Sequence, residues 1–282
     1  MSLEPEVVRI DGREARAVSA LDRGLHYGDG LFETIACLEH RPRLLERHLA
    51  RLEAGCRRLA LATDLAAVAA EVRELAGGAG RAIVKVLVTR GVATARGYGP
   101  SGTERPTRIT LRYAWPEDDA HLTQEGVRVR IAATRLGENP ALAGLKHCNR
   151  LEQVLARAEL RDAELAEALM FSSGGRLISG TMSNVFLVHQ GRLATPRLDA
   201  CGVAGVMRAA VLEAAAVAGI PAAEDALGAL ELERAEEIFL TNALIGVRPV
   251  RELQGAPREV GAVTRALQAQ LAAVLARDGA RA

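Results

Sequence analysis

The sequence predicts an α+β (mixed α/β) fold in two domains, and three observations support this. The chain has 282 residues, more than the roughly 250 at which a single hydrophobic core stops growing. Apolar residues make up 49% of it and charged residues 25%, the balance of a protein with large buried cores. Strand-like alternation and helical apolar spacing both occur before residue 114, and both start again at residue 126. A polar stretch with a proline, residues 115–119, separates the two series. We therefore expect an N-terminal domain over 1–116 and a C-terminal domain over 117–282.

The N-terminal domain is predicted to be one sheet with two helices. Residues 6–10 alternate as a short strand does, and Asp11-Gly12 is a strong hairpin turn after them. The pattern indicates a buried strand over 31–37 and central strands of the same sheet over 82–89 and 107–113. Helices are predicted over 65–75 and over 42–59. The latter carries Leu45, Leu49, Leu52 and Cys56 on its inner face.

The C-terminal domain repeats the mixture of strands and helices. A strand is predicted over 126–133 and a helix over 149–160. Strand-turn-strand units follow around the glycine-bearing turns at 172–175 and 190–191. The remaining predicted elements are a helix over 205–218, a strand over 237–241 and a closing helix over 263–276.

Charge and motifs exclude several classes of function. The chain has 36 basic and 35 acidic residues, so no net field attracts it to nucleic acid or a membrane. Aromatic residues are only 3%, which argues against a base-stacking surface. No apolar run is long enough to span a membrane, and the first residues lack a signal peptide, so we expect a cytoplasmic protein. The four cysteines have no metal-ligand spacing, so we expect no metal site. Nucleotide-binding glycine loops, the serine-hydrolase elbow and the zinc-helix motif are also missing from the sequence.

Lysine is almost absent from this sequence. All its basic residues are arginine except Lys85 and Lys146, so each lysine calls for a reason, such as amine chemistry that a guanidinium cannot perform. Lys146 precedes a predicted helix and has Leu145 beside it. Apolar neighbours desolvate an amine and favour its neutral, nucleophilic form. The alternative for Lys146 is a solvated surface lysine. Lys85 lies inside an alternating strand, where we expect its side chain only to lie along one sheet face.

A second feature fits a reactive amine. Residues 201–208 form a glycine-bearing loop that runs straight into a helix, and the N–H groups at a helix N-terminus bind phosphate well. Many such loops only turn a corner. Together, a reactive lysine and an anion site suggest pyridoxal phosphate (PLP).

Five segments also match a known family in order along the chain. They are residues 22–34, 49–52, 142–154, 202–208 and 241–244. The chain resembles the fold-type IV PLP enzymes, the class of branched-chain and D-amino-acid aminotransferases, and within it is most similar to the aminodeoxychorismate lyases. The run Asn149-Arg150-Leu151-Glu152-Gln153 after the lysine is typical of those lyases. The resemblance implies a two-domain fold like that of D-amino-acid aminotransferase, with the active site between the domains and near the interface of a homodimer.

The resemblance also assigns roles to individual residues. Lys146 corresponds to the lysine that holds PLP and then moves the substrate proton. On the substrate side it implies Tyr27, Arg96 and Tyr98, although Arg96 has a solvated loop arginine as its alternative. The positions implied for cofactor binding are Lys146 itself, Arg51, Ser179, Val206, Met207, Asn242 and Ala243. Arg51 has an alternative too, as one more charge on an arginine-rich helix.

One position departs from the family pattern. The family usually has a glutamate that keeps the pyridine nitrogen of PLP protonated, and this chain has Ser179 there. A hydroxyl can form a hydrogen bond to the nitrogen but cannot act as its counter-ion. The weaker electron sink is expected to harm transamination more than an elimination that leaves an aromatic ring.

The resemblance thus implies a lyase that converts 4-amino-4-deoxychorismate to 4-aminobenzoate, a folate precursor, and pyruvate. The alternative on the same fold is an aminotransferase of D-amino acids or branched-chain amino acids. A third reading is a PLP-binding protein with little catalysis that acts as a structural partner of aminodeoxychorismate synthase. The expected partners are a small-molecule substrate, a second copy of the chain and a functional link to that synthase, with no nucleic acid and no membrane.

Overall fold

A computed structural model describes residues 4–78, 80–116 and 120–281. Contacts between residues divide the chain into two compact units. The first contains the described residues up to 116 together with Leu145–Asn149. The second contains residues 120–144 and 150–280. Of the predicted linker, residues 117–119 lie outside the described residues.

The first unit is built on an antiparallel sheet with strand order β2-β1-β6-β5-β3-β4. Its elements are β1 (Val7–Ile10), β2 (Arg13–Glu14), α1 (Arg23–Tyr27), β3 (Gly30–Leu38), β4 (Arg41–Pro42), α2 (Leu45–Leu59), α3 (Leu65–Gly77), β5 (Arg81–Thr89) and β6 (Thr107–Ala114). The predicted strands and the inner position of β5 and β6 are confirmed. Asp11 and Gly12, with φ of 50° and 82°, form the predicted two-residue hairpin turn.

Helix α2 begins three residues later than predicted. Arg41 and Pro42 pair with Leu38 and Cys37 as strand β4, and Leu44 has a left-handed backbone with φ of 54°. The predicted start at residue 42 is therefore wrong, because a short hairpin uses those residues before the helix can form. From Leu45 onward, α2 packs on β3 as its apolar spacing predicts, with Leu52 and Cys56 buried.

The segment Leu145–Asn149 joins the first unit through strand β3. The Phe32 N–H donates to the Lys146 carbonyl at 3.0 Å, and the Cys148 N–H donates to the Gly30 carbonyl at 2.9 Å. The sequence analysis placed the lysine in the C-terminal domain, whereas the structure groups it with the N-terminal sheet. The reason is this pairing of backbone groups more than 110 residues apart, which no local pattern reveals.

The second unit contains a nine-stranded mixed sheet with strand order β12-β11-β10-β13-β14-β7-β8-β9, and β15 pairs with β14 beside this path. Strand β7 runs parallel to both β8 and β14, and β12 runs parallel to β11. The elements are α4 (Ala120–Glu125), β7 (Val127–Ile131), α5 (Leu151–Ala158), β8 (Leu165–Phe171), β9 (Leu177–Gly180), β10 (Asn184–His189), β11 (Arg192–Pro196), α6 (Val206–Val217), β12 (Ala222–Asp225), α7 (Ala229–Arg234), β13 (Glu237–Asn242), β14 (Gly246–Leu253), β15 (Ala256–Pro257) and α8 (Ala262–Arg281).

Two clusters of buried side chains hold this second sheet. One lies around Leu169, Leu177 and Leu240, and the Phe186 and Phe239 rings stack on neighbouring strands with centroids 4.9 Å apart. The other joins Met170 and Ile178 to helix α5 through Ala156. The mixed α+β class is confirmed, with helices and strands interspersed in both units. Within the described residues, no helix has both the length and the apolar character needed to cross a membrane.

Candidate active site

A buried ionic cluster connects strand β3 to helix α2 in the first unit. Alternation along β3 turns Glu33 toward α2, where His48 and Arg51 lie three residues apart on one helical face. Arg51 grips the carboxylate with two donors: its Nε lies 2.8 Å from Oε1, and its Nη2 contacts Oε2. His48 Nδ1 lies 2.6 Å from Oε2. The Glu33 and His48 side chains are only 3% and 1% exposed, and that of Arg51 is 14% exposed.

The charges in this cluster are strongly coupled. Burial alone would raise the pKa of Glu33, but the Arg51 charge and the hydrogen bonds from His48 and Arg51 outweigh it and lower the pKa to about 2. Burial lowers the pKa of His48 in spite of the carboxylate, so the ring is neutral at pH 7. An ionised carboxylate can only accept, so Nδ1 carries the proton. His48 Nε2 is then a buried acceptor without a hydrogen-bond partner among the described residues.

Lys146 lies on the other face of β3. Its Nζ is 4.2 Å from the centre of the Phe32 ring, a distance typical of a cation–π contact. Phe32 and Glu33 are neighbours on β3, so successive side chains direct the lysine and the Arg51 cluster to opposite faces of one strand. The Lys146 side chain is half-buried. Asn149 closes the segment, donating from Nδ2 to the Gly28 carbonyl at 3.2 Å.

Tyr27 and Tyr98 are brought together by Arg23. The two tyrosine rings meet edge to face with centroids 5.3 Å apart, and the Arg23 guanidinium lies 4.9 Å from the Tyr27 ring. Arg23 also donates to the carbonyls of Tyr98, at 2.6 Å, and Gly97. Asp29 holds Arg23 through its Nε at 2.9 Å. This fixes the backbone of the turn that presents Arg96, whose side chain is exposed.

In the second unit, Ser179 lies on strand β9 opposite Met170 of β8. It is 8% exposed. The turn that follows is fixed by Glu167, a buried carboxylate of β8. Glu167 accepts from the N–H groups of Thr181 and Met182 at 3.0 and 3.1 Å, and from the hydroxyls of Thr181 and Ser183. The Glu167 carboxylate therefore fixes the turn that follows strand β9.

Helix α6 begins beside this turn at a point of close backbone approach. Gly205 is its N-cap and provides no side-chain cap. A Cβ at Gly205 would lie 2.0 Å from Asn184 Oδ1, so only glycine fits. Asn184 donates from Nδ2 to the Val203 carbonyl at 2.9 Å and holds the loop in place. Val206 and Met207 are buried in the first turn, where backbone N–H groups have no partner within the helix.

Asn242 and Ala243 lie in a loop tied to the same turn. Asn242 Oδ1 accepts from the N–H groups of Leu244 and Ile245 at 2.9 and 3.0 Å, and its Nδ2 donates to the Met182 carbonyl. Thr241 pairs with Asn184 in the sheet, so both side chains lie on the face toward the start of α6. The Thr241 hydroxyl is buried without a hydrogen-bond partner among the described residues. The predicted cofactor residues of the second unit thus lie in strand β9, in the first turn of α6, and at the end of β13 with the turn that follows it.

Comparison with known proteins decides the family. The family described as amino-transferase class IV matches residues 30–253, which is most of the chain. The chain belongs to the class IV amino-transferase family. The resemblance inferred from sequence motifs is therefore confirmed.

Among class IV relatives, two lyases are similar over nearly the whole chain. Aminodeoxychorismate lyase of Vibrio harveyi is 34% identical over 93% of this chain and 98% of its own length. The crystal structure of 4-amino-4-deoxychorismate lyase from Pseudomonas aeruginosa superposes with a TM-score of 0.90 at 49% identity, covering 94% of this chain and 98% of that one. Branched-chain amino acid aminotransferase of Escherichia coli shares the fold, with a TM-score of 0.86 at 22% identity and coverage of 96% and 95%.

Each unit, taken by itself, contains residues that fit a part of the PLP on which class IV enzymes depend. The second unit offers an uncapped helix start and, beside it, the orphaned Thr241 hydroxyl, and both suit a phosphate. The first unit offers an amine on Lys146 and a guanidinium on Arg51 that Glu33 holds in place. At the position that the resemblance assigns to the pyridine contact, this chain has the buried Ser179. Across residues 4–78, 80–116 and 120–281, no His, Cys, Asp and Glu side chains group as metal ligands.

Sequence reasoning missed the groups that hold the site residues in place. Glu33, His48, Arg23 and Glu167 are all buried. Glu33, Arg23 and Glu167 are each hydrogen-bonded to a predicted site residue or to the turn beside it, and His48 is hydrogen-bonded to Glu33. Glu33 had a visible signal, since a carboxylate inside an otherwise apolar strand requires a buried partner. His48 had a weaker one, because it falls between Leu45 and Leu52 on the predicted inner face of α2.

Proposed function

We propose that this protein is a PLP-dependent aminodeoxychorismate lyase, which converts 4-amino-4-deoxychorismate to 4-aminobenzoate and pyruvate. The observation that carries the proposal is the 49% identity to the Pseudomonas aeruginosa lyase over nearly the full length of both chains. The Vibrio harveyi lyase supports it independently. The reaction feeds folate biosynthesis, and its substrate would come from an aminodeoxychorismate synthase, the proposed functional partner.

Lys146 is the proposed catalytic residue. PLP, when bound, supplies an electron-withdrawing ring that stabilises the charge left when a proton leaves the carbon beside the amine. Lys146 holds the cofactor through Nζ, yields it to the substrate amine, and then takes the C4 proton as general base. Loss of enolpyruvate from C3 then makes the ring aromatic. The contact between Nζ and the Phe32 ring, 4.2 Å from its centre, orients the amine for this transfer.

The proposed phosphate ligands, as the resemblance implies them, are one guanidinium and a group of backbone N–H donors. Arg51 of the first unit offers its guanidinium, and Glu33 fixes that group in a two-point grip. The second unit offers the backbone N–H groups of Val206 and Met207 at the uncapped start of α6. Asn242 and Ala243 belong to the adjoining loop. Together these groups bind and orient the cofactor rather than take part in proton transfer.

Ser179 is the proposed contact of the pyridine nitrogen. A hydroxyl donates or accepts one hydrogen bond but carries no charge, so it supports the protonated ring less than a carboxylate would. Transamination depends more on that support than an elimination that ends in an aromatic ring. Ser179 therefore favours the lyase over the aminotransferase alternative.

On the substrate side, we propose Tyr27, Tyr98 and Arg96. The two tyrosines make one aromatic surface, and Arg96 can pair with a substrate carboxylate.

We also propose a homodimer. Large apolar side chains are exposed in each unit, with Leu25 68% exposed in the first and Leu151 76% exposed in the second, and a second copy would cover such surface. Sedimentation equilibrium should give twice the 29.9 kDa chain mass. None of the four cysteines, all of which lie among the described residues, forms a disulfide, which fits the proposed cytoplasmic location.

The lyase is tested by direct turnover. The purified chain is loaded with PLP, supplied with 4-amino-4-deoxychorismate, and monitored for the fluorescence of 4-aminobenzoate. We expect product formation by the isolated chain, and none from a Lys146→Ala variant. The same preparation is assayed for transfer of amino groups from D-alanine and leucine. Amino-group transfer without 4-aminobenzoate would replace the lyase with an aminotransferase, and neither activity in PLP-loaded protein would favour a binding role.

A further inference from the structure

The second lysine of the chain lies beside the first. Lys85 is in the middle of β5, paired with Thr34 of β3 and Leu111 of β6. Its Nζ is 5.4 Å from the centre of the Phe32 ring, the same ring that Lys146 contacts at 4.2 Å. A chain that otherwise uses only arginine for positive charge thus places both its lysines against one phenylalanine.

Lys85 has no counter-ion, unlike the buried arginines of the same unit. Arg51 is paired with Glu33, Arg23 and Arg90 with Asp29, and Arg108 with Glu71. Among the described residues, no carboxylate or hydrogen-bond acceptor pairs with the Lys85 ammonium, which lies over the Phe32 ring. Its side chain is half-buried.

Apart from Lys146, the side chains next to Lys85 on this face of the sheet are uncharged. Lys85 shares the face with Phe32 and Thr34 of β3, Leu87 of its own strand, and Leu111 of β6. The stem of this half-buried lysine is partly covered, while its ammonium has no carboxylate partner among the described residues and keeps access to solvent. Its charge is therefore available to an anion that approaches this face. The arrangement therefore points to an anion that binds here.

We propose that Lys85 binds a carboxylate of the substrate whose amine reacts with Lys146. This rests on the proposed lyase function. The substrate, 4-amino-4-deoxychorismate, carries one amine and two carboxylates on a single six-membered ring and its side arm. All three groups lie within the span of that small skeleton. The Nζ atoms of Lys146 and Lys85 lie 4.2 and 5.4 Å from the centre of the same Phe32 ring, so one small molecule can reach both.

The chemistry also explains why lysine stands at this position. An ammonium is a compact point charge on a long stem, whereas a guanidinium is a broad planar fork. A lysine stem can lie along an apolar face and leave the ammonium at its tip accessible, so the ammonium can bind one carboxylate oxygen without displacing neighbouring side chains. Arginine at residue 85 would keep the charge but shift it and widen the group.

The test uses chorismate as a probe of binding. Chorismate has the same two carboxylates with a hydroxyl in place of the amine, so it cannot react with Lys146. Isothermal titration calorimetry on PLP-loaded protein compares wild type with Lys85→Met, Lys85→Arg and the control Arg73→Gln. Arg73 is an exposed cation of α3 paired with Glu46. Absorbance of the bound cofactor shows that each variant is folded and loaded.

A charge-assisted hydrogen bond corresponds to roughly 10- to 100-fold in affinity. We expect Lys85→Met to weaken chorismate binding by that factor, Lys85→Arg by less, and Arg73→Gln not at all. Equal affinity of wild type and Lys85→Met would overturn the proposal, as would wild type that does not bind chorismate. Turnover of 4-amino-4-deoxychorismate is measured separately. If Lys85→Met weakens chorismate binding but wild type forms no 4-aminobenzoate, the lyase is refuted and the anion site stands. If wild type forms 4-aminobenzoate but Lys85→Met binds chorismate as wild type does, the lyase stands and the anion site is refuted.

Discussion

Replacing Glu33 by glutamine should destabilise the first unit by a predictable amount. The pKa of Glu33 is about 2 in the folded protein, against an ordinary value of 4.5. One pKa unit corresponds to about 1.36 kcal/mol, so the difference contributes ~3 kcal/mol to the free energy of unfolding at pH 7. The same range follows from breaking a buried ion pair by removing one partner, about 3–5 kcal/mol. For a chain of this size, a loss of ~3 kcal/mol lowers the thermal midpoint by about 6–12 °C.

The assay is thermal unfolding of the PLP-free protein, because differences in bound cofactor would add their own shift. A double-mutant cycle with Arg51→Gln isolates the pair. We expect each single change to be costly and the double change to cost little more than either one. The control Glu46→Gln removes an exposed carboxylate paired with Arg73 and should leave the midpoint nearly unchanged. Additive effects of the two single changes would refute the coupling inferred from the geometry.

The pH dependence of this effect has a definite sign. The pKa of Glu33 is lower in the folded state, so its contribution is complete above pH 4.5 and is lost as pH falls from 4.5 toward 2. The pKa of His48 is also lower in the folded state than its ordinary value of 6.5. Protonation of His48 therefore lowers the free energy of unfolding as pH falls below 6.5. A His48→Gln background removes that second titration. In this background, the difference in free energy of unfolding between Glu33 and Glu33→Gln proteins should decrease as pH falls from 4.5 toward 2. A difference that stays constant down to about pH 2.5 would contradict the lowered pKa of Glu33.

Three further changes test the positioning of the site. Arg23→Gln removes the donors to the Gly97 and Tyr98 carbonyls, while Arg90 keeps Asp29 paired. Steady-state kinetics should then show KM raised roughly tenfold and kcat changed less. A fall in kcat larger than the rise in KM would contradict a purely positioning role for Arg23. Gly205→Ala forces a methyl group onto Asn184 and should weaken PLP binding in an absorbance titration, whereas Gly77→Ala, with open space around it, should not. Ser179→Glu should raise amino-group transfer from D-alanine above the wild-type rate in a coupled assay, and no gain would show that Ser179 does not limit transamination.

Much of the fold could be predicted from the sequence because its signals are local. Alternation and helical spacing identify β3, β5, β6, α3 and α6, and the turn chemistry of Asp11-Gly12 identifies the first hairpin. Short elements with few residues to establish a period were missed, among them α7 and β12. The start of α2 was wrong because a strand pairing across a hairpin decided it.

The sequence could propose site residues only where they carry chemistry in a recognisable segment. Lys146 was proposed because lysine is rare in this chain and because its neighbours are apolar. Its pairing with β3 was not, because that depends on residues distant in sequence. Lys85 was interpreted as a passive strand residue, since alternation gives the face of a side chain but not its neighbours across the sheet. Only the register of β3 and β5 places it against Phe32.

In the proposed site, two residues favour the lyase. Ser179 would leave the pyridine nitrogen without a counter-ion, and Lys85 would add a positive charge near Lys146. An aminotransferase must stabilise a carbanion in both directions of a reversible cycle, so a weak electron sink costs it at every turnover. A lyase that forms an aromatic ring is driven forward by its product, and its main demand is to hold a doubly negative substrate with the C4 proton at Lys146. A site with less support for the ring and more positive charge for the substrate meets that demand better than the demand of transamination.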